Sequence, residues 1–313
     1  MAVGADHAQQ VVCIVGPTGA GKTAAALHVA RTFGGGVVNA DSRQLYRDFP
    51  IITAQPTAEE QGVCPHLLYG FLPTSEKVSA GAWSDMAITA TATLAGQGLL
   101  PLLVGGTGLY LRALLDGIVA IPTVDEAIMV RLETACDAEG SAVLHRRLAE
   151  VDPAYAARIH PNDRQRIVRA LGVWEGTGQT FSWWHAQPVA AAPFRVLRIG
   201  IGMSLDELTP RLAHRIDLML EAGALAEARA ALELCDDAGA PGWSGIGCAE
   251  LYDYLAGRCS MAAARTLWLR NTRAYAKRQL TWFRADARIR WFRPDDVNGV
   301  AAAVAAFRDT GLQ

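Results

Sequence analysis

Short apolar runs alternate with helix-like stretches in the first and last parts of the chain. Each run is followed by glycine or a polar residue, which is typical of buried strands in a parallel sheet covered by helices on both faces. The chain therefore predicts an α/β fold in which a parallel sheet is flanked by helices. The predicted strands are 11–15, 36–40, 99–104, 195–201 and 288–292, and helices are predicted at about 24–32 and 205–234.

The pattern changes after Asp116. From about 122 to 193 the apolar positions recur at helical spacing beside polar faces, and we predict helices at 126–139, 143–151 and 164–175. This segment is interpreted as an inserted all-α subdomain. The predicted organisation is an α/β core at 1–117 and 194–313, with a basic helical C-terminal part, and a helical insertion at 118–193.

One motif carries specific chemistry at the junction of the first strand and the first helix. It follows the spacing GxxxxGKT in a strand, loop and helix setting, which makes the core P-loop NTPase-like. In such a loop the backbone N–H groups and the helix N-terminus bind phosphate, the lysine neutralises phosphate oxygens, and the threonine hydroxyl can bind Mg²⁺. The residues leave open whether these phosphates belong to ATP or to a diphosphate. The motif consists of Gly16, Pro17, Thr18, Gly19, Ala20, Gly21, Lys22 and Thr23.

Two further strands end in polar residues that we expect to face this loop. The second predicted strand runs into Asp41, and the third runs through two glycines into Thr107. The carboxyl ends of parallel strands surround the ligand crevice of an open α/β sheet. Each residue is also a suitable helix cap, so a purely structural role is the alternative.

The charge of the chain is uneven. The formal net charge of the 313 residues is −2, but between 262 and 293 eight arginines and Lys277 accompany one acid, Asp286, a local balance of +8. The aromatic residues of this segment can stack on unpaired bases, so it is a candidate RNA-binding surface. A solvated helical face with core aromatics is the alternative.

The composition, 51% hydrophobic and 19% charged, is that of an ordinary globular protein. No apolar run reaches the roughly 18 to 20 residues that cross a bilayer, and residues 1–10 lack the pattern of a secretory signal. We therefore predict a cytoplasmic protein with no membrane association. Six scattered cysteines without a CxxC pair suggest neither a zinc site nor a disulfide framework.

Taken together, the motifs resemble those of the tRNA dimethylallyltransferases, also called tRNA isopentenyltransferases. The matching blocks keep the family order from about 11 to 284, nearly the whole chain, and the combination is more specific than any one of them. They are 16–23, Asp41-Ser42-Arg43-Gln44-Leu45-Tyr46, Thr53-Ala54-Gln55-Pro56, Leu103-Val104-Gly105-Gly106-Thr107-Gly108-Leu109-Tyr110, His160-Pro161-Asn162-Asp163 with Gln165-Arg166 and Arg169-Ala170, and Lys277-Arg278-Gln279 with Thr281-Trp282.

The resemblance implies transfer of a dimethylallyl group from dimethylallyl diphosphate to the exocyclic amine of the adenosine 3′ of the anticodon. It implies that the phosphate loop holds the donor diphosphate, with Lys22 and Thr23 on the phosphates and Mg²⁺. Asp41 would be the general base for the attacking amine. Thr107 would hydrogen-bond the amine or the leaving group, and Arg215 would stabilise charge on the diphosphate.

The resemblance also implies the tRNA contacts. Because the target base must reach a crevice, a flipped nucleotide is expected. The insertion would clamp the anticodon stem-loop. The basic surface and the insertion indicate that a monomer could hold one tRNA. The implied tRNA-binding residues are Asp41, Ser42, Arg43, Gln44, Thr107, Gln165, Arg166, Ile167, Val168, Arg169, Lys277 and Arg278.

The chain departs from the family pattern at a few positions. The family usually has Lys where this chain has Gln55, and Arg where it has Met129. It usually has Tyr-Arg where this chain has Cys248-Ala249. Each change removes a charge or a ring that could contact RNA. Two other classes remain open from the residues alone: a small-molecule kinase in which Asp41 activates a hydroxyl, and a non-catalytic RNA-binding protein that senses a diphosphate.

Overall fold

A computed structural model describes residues 8–189 and 191–310. The chain forms two compact units. One comprises Met1–Asp116 and Ala192–Gln313, and the other comprises Gly117–Ala191. The first unit is described here as the α/β unit and the second as the helical unit.

The α/β unit contains a six-stranded sheet in which every strand pair is parallel. The strand order is β3-β2-β4-β1-β5-β6. The predicted α/β fold with a parallel sheet is therefore confirmed. The strands are β1 (Gln9–Val15), β2 (Gly35–Asn39), β3 (His66–Leu67), β4 (Leu100–Gly105), β5 (Phe194–Ile201) and β6 (Arg290–Phe292).

Apolar side chains cover both faces of this sheet. Along β1, Val11, Cys13 and Val15 belong to one core, while Val12 and Ile14 belong to the core on the opposite face. Successive strand residues point to opposite faces, so a strand buried on both sides must be apolar at every position. This explains the uninterrupted apolar run in the sequence.

The helices of the α/β unit pack around this sheet. They are α1 (Lys22–Phe33), α2 (Ala58–Gln61), α3 (Ala80–Gly96), α4 (Gly108–Leu115), α10 (Leu205–Glu221), α11 (Ala224–Leu234), α12 (Cys248–Leu255), α13 (Met261–Arg284) and α14 (Val297–Asp309). No helix of the part of the chain that the structure describes is long and apolar enough to cross a membrane.

Three elements differ from the sequence prediction. The helix predicted at 205–234 is two helices, because Gly223 has a left-handed φ of 103° and ends the first. The two-residue strand β3 is too short to produce an apolar run. Helix α3 was not predicted, since its alternating alanines and threonines give weak contrast between its faces.

The helical unit consists of α5 (Glu126–Glu139), α6 (Ser141–Val151), α7 (Pro153–Ala156), α8 (Arg164–Thr177) and α9 (Phe181–His185). These helices surround a small core of their own. The buried carboxylate of Asp152 accepts hydrogen bonds from Tyr155 N at 3.1 Å and from the backbone N and Oγ of Ser182 at 2.8 and 2.6 Å. One carboxylate thus caps α7 and ties α9 to it.

Candidate active site

The phosphate loop lies between the end of β1 and α1. Gly19 and Gly21 have left-handed φ values of 78° and 92°, which favour glycine. A Cβ on Gly16 would overlap the carbonyl oxygen of Ile201 on β5, so only glycine fits there. Lys22 Nζ donates to Gly16 O at 3.0 Å and to Pro17 O at 2.9 Å. Its ammonium group is thereby held over the loop that would contain a phosphate.

The electrostatic environment of Lys22 is unusual. Burial lowers the pKa of Lys22 to about 8; the negative charge of Asp41 raises the pKa and the positive charge of Arg215 lowers it further. The three side chains are therefore close enough to act on one another. An anion bound between Lys22 and Arg215 would raise the pKa of Lys22 again, because it favours the charged ammonium form.

Asp41 follows β2 directly. Its backbone N donates to Asn39 Oδ1 at 2.8 Å, and its Oδ1 accepts from Arg43 N at 2.9 Å. Asn39 is fully buried and also donates to Asp41 O and Leu68 O. In the part of the chain that the structure describes, no hydrogen bond reaches Asp41 Oδ2, so the carboxylate is fixed on one oxygen and available on the other.

Thr107 begins α4 after strand β4, the neighbour of β2. Its backbone N donates to Ala40 O at 3.1 Å. Its Oγ1 accepts from Ser42 N at 2.9 Å and donates to Ser42 Oγ at 3.3 Å. Asp41 and Thr107 are 66 positions apart in the sequence. Parallel pairing of β2 with β4 brings the ends of these two strands into direct hydrogen-bonded contact.

A cavity of about 240 Å³ opens beside these strand ends. Its polar wall includes Thr18 of the phosphate loop, Asp41 and Arg215, and its apolar wall is formed mainly by α10, α13 and the loops around them. A charged half beside an apolar half suits a ligand with an anionic head and a hydrocarbon part. The apolar lining residues are Ile52, Leu212, Ile216, Met219, Ile246 and Trp268.

Arg215 reaches this cavity from α10. Burial lowers the pKa of Arg215, whereas the charges of Asp41 and Glu60 raise it. No salt bridge to Arg215 occurs within the described residues. A half-buried guanidinium that faces a cavity without a bonded carboxylate is suited to binding an anion there.

Two neighbours of Asp41 make bonds that stabilise the fold. Arg43 Nη1 donates to Ser244 Oγ at 2.9 Å and to Pro241 O at 3.4 Å, and its side chain also lines the cavity. Gln44 Nε2 donates to Thr53 O and Ala54 O. The amide of Gln44 therefore fixes the loop at 53–54, whereas the guanidinium of Arg43 borders the cavity.

Helix α13 presents Lys277 and Arg278 to solvent, and Arg278 also lines the cavity. Much of the local positive charge predicted for 262–293 is neutralised by acids from elsewhere in the chain. Within the described residues, four of the segment's arginines form five such contacts: Arg265 with Asp217, Arg273 with Asp206, Arg288 with Asp116, and Arg293 with Glu207 and Asp295. The count of charged residues in 262–293 overestimates the local positive charge, because it leaves out the acids from other segments that pair with these arginines.

The burial of side chains on helix α8 contradicts part of the predicted tRNA-binding set. Gln165 and Arg166 are exposed and Arg169 is half-buried, but Ile167 is 0% and Val168 is 3% exposed. Both apolar side chains belong to the core of the helical unit. The prediction that Ile167 and Val168 contact tRNA is wrong for their side chains, because the 3.6-residue period of the helix turns them inward.

The positions that depart from the family pattern take structural roles. Gln55 Nε2 donates to Tyr46 O at 2.7 Å, and Met129 packs against Gly172 in the helical unit. Cys248 is fully buried, and this burial raises the pKa of its thiol. Ala249 is half-buried beside it. Uncharged residues are therefore accommodated at these positions without an unpaired buried group among the described residues.

Sequence reasoning did not place two further side chains at this cavity. Tyr275 lines the cavity, and burial raises the pKa of its hydroxyl, with a further increase from Asp41. Gln279 is buried between two loops. Tyr275 and Gln279 are four positions apart and therefore lie on one side of α13. This spacing was the sequence signal that could have identified them together.

The fold and the loop make this a P-loop α/β protein, in which the phosphate loop lies beside a carboxylate and an apolar wall. The family described as IPP transferase matches residues 44–286, and the family described as isopentenyl transferase matches residues 9–64. The chain belongs to the IPP transferase family.

Individual proteins agree with this assignment. A tRNA dimethylallyltransferase of Nitratidesulfovibrio vulgaris is 68% identical over 95% of this chain and 93% of its own length. The corresponding protein of Geobacter sulfurreducens is 42% identical over 90% of this chain and 91% of its own length.

Solved structures agree as well. The crystal structure of the tRNA isopentenylpyrophosphate transferase of Bacillus halodurans has a TM-score of 0.72 and 34% identity, over 97% of this chain and 98% of that one. A eukaryotic dimethylallyltransferase acting on tRNA has a TM-score of 0.77 and 27% identity, over 93% of this chain and 75% of that one.

Proposed function

We propose that this protein transfers a dimethylallyl group from dimethylallyl diphosphate to the exocyclic amine of the adenosine 3′ of the anticodon in tRNA. The products are N6-isopentenyladenosine and diphosphate. The observation that carries the proposal is the cavity that joins Thr18 of the phosphate loop, Asp41 and Arg215 to an apolar wall. Membership of the IPP transferase family supports it.

The proposed reaction is a substitution at the allylic carbon. The lone pair of the amine nitrogen forms the new C–N bond, and the C–O bond to the diphosphate breaks, so that its electron pair leaves with the diphosphate. The amine proton passes to the free oxygen of Asp41, whose other oxygen is held by Arg43 N. Thr107, which is anchored through Ser42, orients the amine or the leaving group.

Positive charge stabilises the leaving group. Lys22 is positioned at the phosphate loop, and Arg215 faces the same cavity. Both groups are preorganised before the diphosphate gains negative charge, which is the condition for electrostatic stabilisation of a transition state.

The residues present fit a Mg²⁺ ion held jointly with the ligand. The described part of the chain has no group of three or more His, Cys, Asp or Glu side chains that could bind a metal alone. Mg²⁺ commonly uses one or two protein oxygens together with substrate phosphates and water. The exposed hydroxyl of Thr23, at the first turn of α1, would hold it. When bound, the ion would neutralise diphosphate charge.

The RNA partner is the anticodon stem-loop of tRNA. Lys277 and Arg278 on α13, together with Gln165, Arg166 and Arg169 on α8, offer exposed or half-buried polar groups for its backbone and bases. We place the reaction in the cytoplasm, with one chain acting on one tRNA.

The test uses the whole protein with an anticodon stem-loop that carries the target adenosine. The protein is incubated with dimethylallyl diphosphate and Mg²⁺, and in parallel with ATP, and digested nucleosides are then weighed by mass spectrometry. We expect one added C5H8 on the adenosine in the first mixture. A stem-loop with guanosine at that position is the matched control and should gain nothing. ATP consumption with unchanged RNA would instead favour a kinase.

A further inference from the structure

The side chain of Gln279 joins two separate loops of the active site. It lies on α13 and is 4% exposed. Its Oε1 accepts a hydrogen bond from Thr18 N in the phosphate loop at 2.9 Å. Its Nε2 donates to Gly106 O, directly before Thr107, at 3.0 Å. One amide therefore spans the gap between the donor-binding loop and the turn that carries Thr107.

The packing around this amide is tight. A Cβ added to Gly106 would overlap Nε2 of Gln279, and a Cβ added to Gly108 would overlap the indole of Trp282. Gln279 and Trp282 are three positions apart on α13 and share one side of the helix. The two glycines around Thr107 thus allow α13 to dock directly on the turn between β4 and α4.

We infer that Gln279 is a positioning residue that sets the distance between the donor diphosphate and the groups that act on the adenosine amine. This inference rests on the proposed function. Thr18 lines the cavity, whereas Gly106 leads into Thr107, which in turn holds Ser42 beside Asp41. A change in the length or bonding of this one side chain therefore moves the phosphate loop relative to the acceptor side.

The chemistry of the two partners explains why this position requires an amide. One partner is a backbone N–H and the other is a backbone C=O, so the side chain must accept one hydrogen bond and donate one. A methionine of similar volume cannot donate, and its thioether sulfur accepts only weakly. A glutamate can accept from Thr18 N in either form, but it can donate to Gly106 O only when it is protonated.

The first test compares Gln279→Met with Gln97→Met, the same change at an exposed glutamine at the C-terminal end of α3. We expect kcat for prenyl transfer to fall about 100-fold in the Met variant, because small misplacements of reacting groups have effects of this size. The affinity for the anticodon stem-loop should stay within about twofold. The binding of inorganic diphosphate, measured by calorimetry without RNA, should weaken. Gln97→Met should match the wild type.

The second test uses Gln279→Glu to rescue the function through pH. The ratio of variant to wild-type kcat should be highest at acidic pH, where the protonated glutamate reproduces both hydrogen bonds. The ratio should fall as the pH rises through the pKa of the buried carboxyl. Using the ratio removes the pH effects that the variant and the wild type share.

The possible outcomes distinguish a failure of the proposed prenyl transfer from a failure of the positioning role of Gln279. If the wild type transfers no prenyl group, the proposed function fails, and weakened diphosphate binding in Gln279→Met still tests the link to the phosphate loop. If the wild type is active, the positioning role is refuted by a Met variant of unchanged kcat, or by a Glu variant whose ratio is independent of pH. Should the Met variant not fold, as judged by thermal melting, the pH dependence of the Glu variant decides alone.

Discussion

The strand ends of the α/β unit and helix α8 of the helical unit both carry residues that we assign to substrates, but they are built differently. At the strand ends, Asp41 and Thr107 are 66 positions apart in the sequence and are joined through Ser42 by parallel strand pairing. On α8 the residues are consecutive, and two of the five, Ile167 and Val168, point into the core.

This difference shows for which kind of motif the sequence predicts the direction of each side chain. Polar residues after buried strands are placed by the sheet, so each one faces the same edge. Consecutive residues on a helix point in directions about 100° apart, so a contiguous block cannot act as one contact surface. Function at the strand ends should therefore respond to single polar substitutions, whereas α8 should respond according to the face on which each residue lies.

The largest effect is expected for Asp41→Asn. The amide cannot accept the amine proton, so the rate of prenyl transfer should fall by about 100- to 10,000-fold. Single-turnover assays with mass analysis of the nucleosides would measure it, with the binding of inorganic diphosphate retained. Asp85→Asn, an exposed carboxylate on α3, is the control. Full activity of Asp41→Asn would remove this residue from the role of base.

Ile167→Ala should act on stability. Removal of a fully buried isoleucine from a small core should lower the free energy of unfolding by about 2–5 kcal/mol. Gln165→Ala, on the exposed side of α8, should change it by less than about 0.5 kcal/mol. Urea denaturation followed by circular dichroism measures both. Equal stabilities would contradict the division of α8 into two faces.

Lys22 should make diphosphate binding depend on pH. Its pKa in the ligand-free protein is lowered to about 8, mainly by burial. Above this pH the free protein loses the ammonium charge, so binding must take up a proton, and the affinity should fall by about tenfold per pH unit until the higher pKa of the bound state is reached. Calorimetry with inorganic diphosphate between about pH 7 and 9 measures this decrease.

Lys22→Arg is the matched variant, because a guanidinium stays charged throughout this range. Any pH dependence that remains in it belongs to the ligand. If wild type and variant show the same dependence, the lowered pKa of Lys22 has no influence on binding.

The smallest effect is expected for Arg169→Ala. Loss of one phosphate contact should weaken binding of the anticodon stem-loop uniformly and reduce the slope of log affinity against log salt by about one. Arg147→Ala is the control, since Arg147 is paired with Glu139 at 2.6 Å. Filter binding at several salt concentrations distinguishes them. Equal slopes in both variants would exclude Arg169 from the RNA contacts.

Much of the fold was predictable because its signals are local. Four of the strands, β1, β2, β4 and β5, overlap predicted apolar runs, and β1 is buried on both faces as such a run requires. The break of the long predicted helix at Gly223 depends on one left-handed residue. Strand β3 exists only through its pairing with β2, so no pattern within its own two residues could predict it.

By itself the sequence determined the phosphate loop, because eight consecutive residues set its backbone through glycines and the start of a helix. The tertiary structure decided the rest of the candidate site. Asp41, Thr107, Arg215 and Gln279 lie far apart along the chain, and their meeting depends on strand order and helix docking. The tertiary structure also decided which residues of α8 are exposed. The physical reason is that backbone conformation is governed by neighbours in sequence, whereas proximity and burial are governed by packing between distant segments.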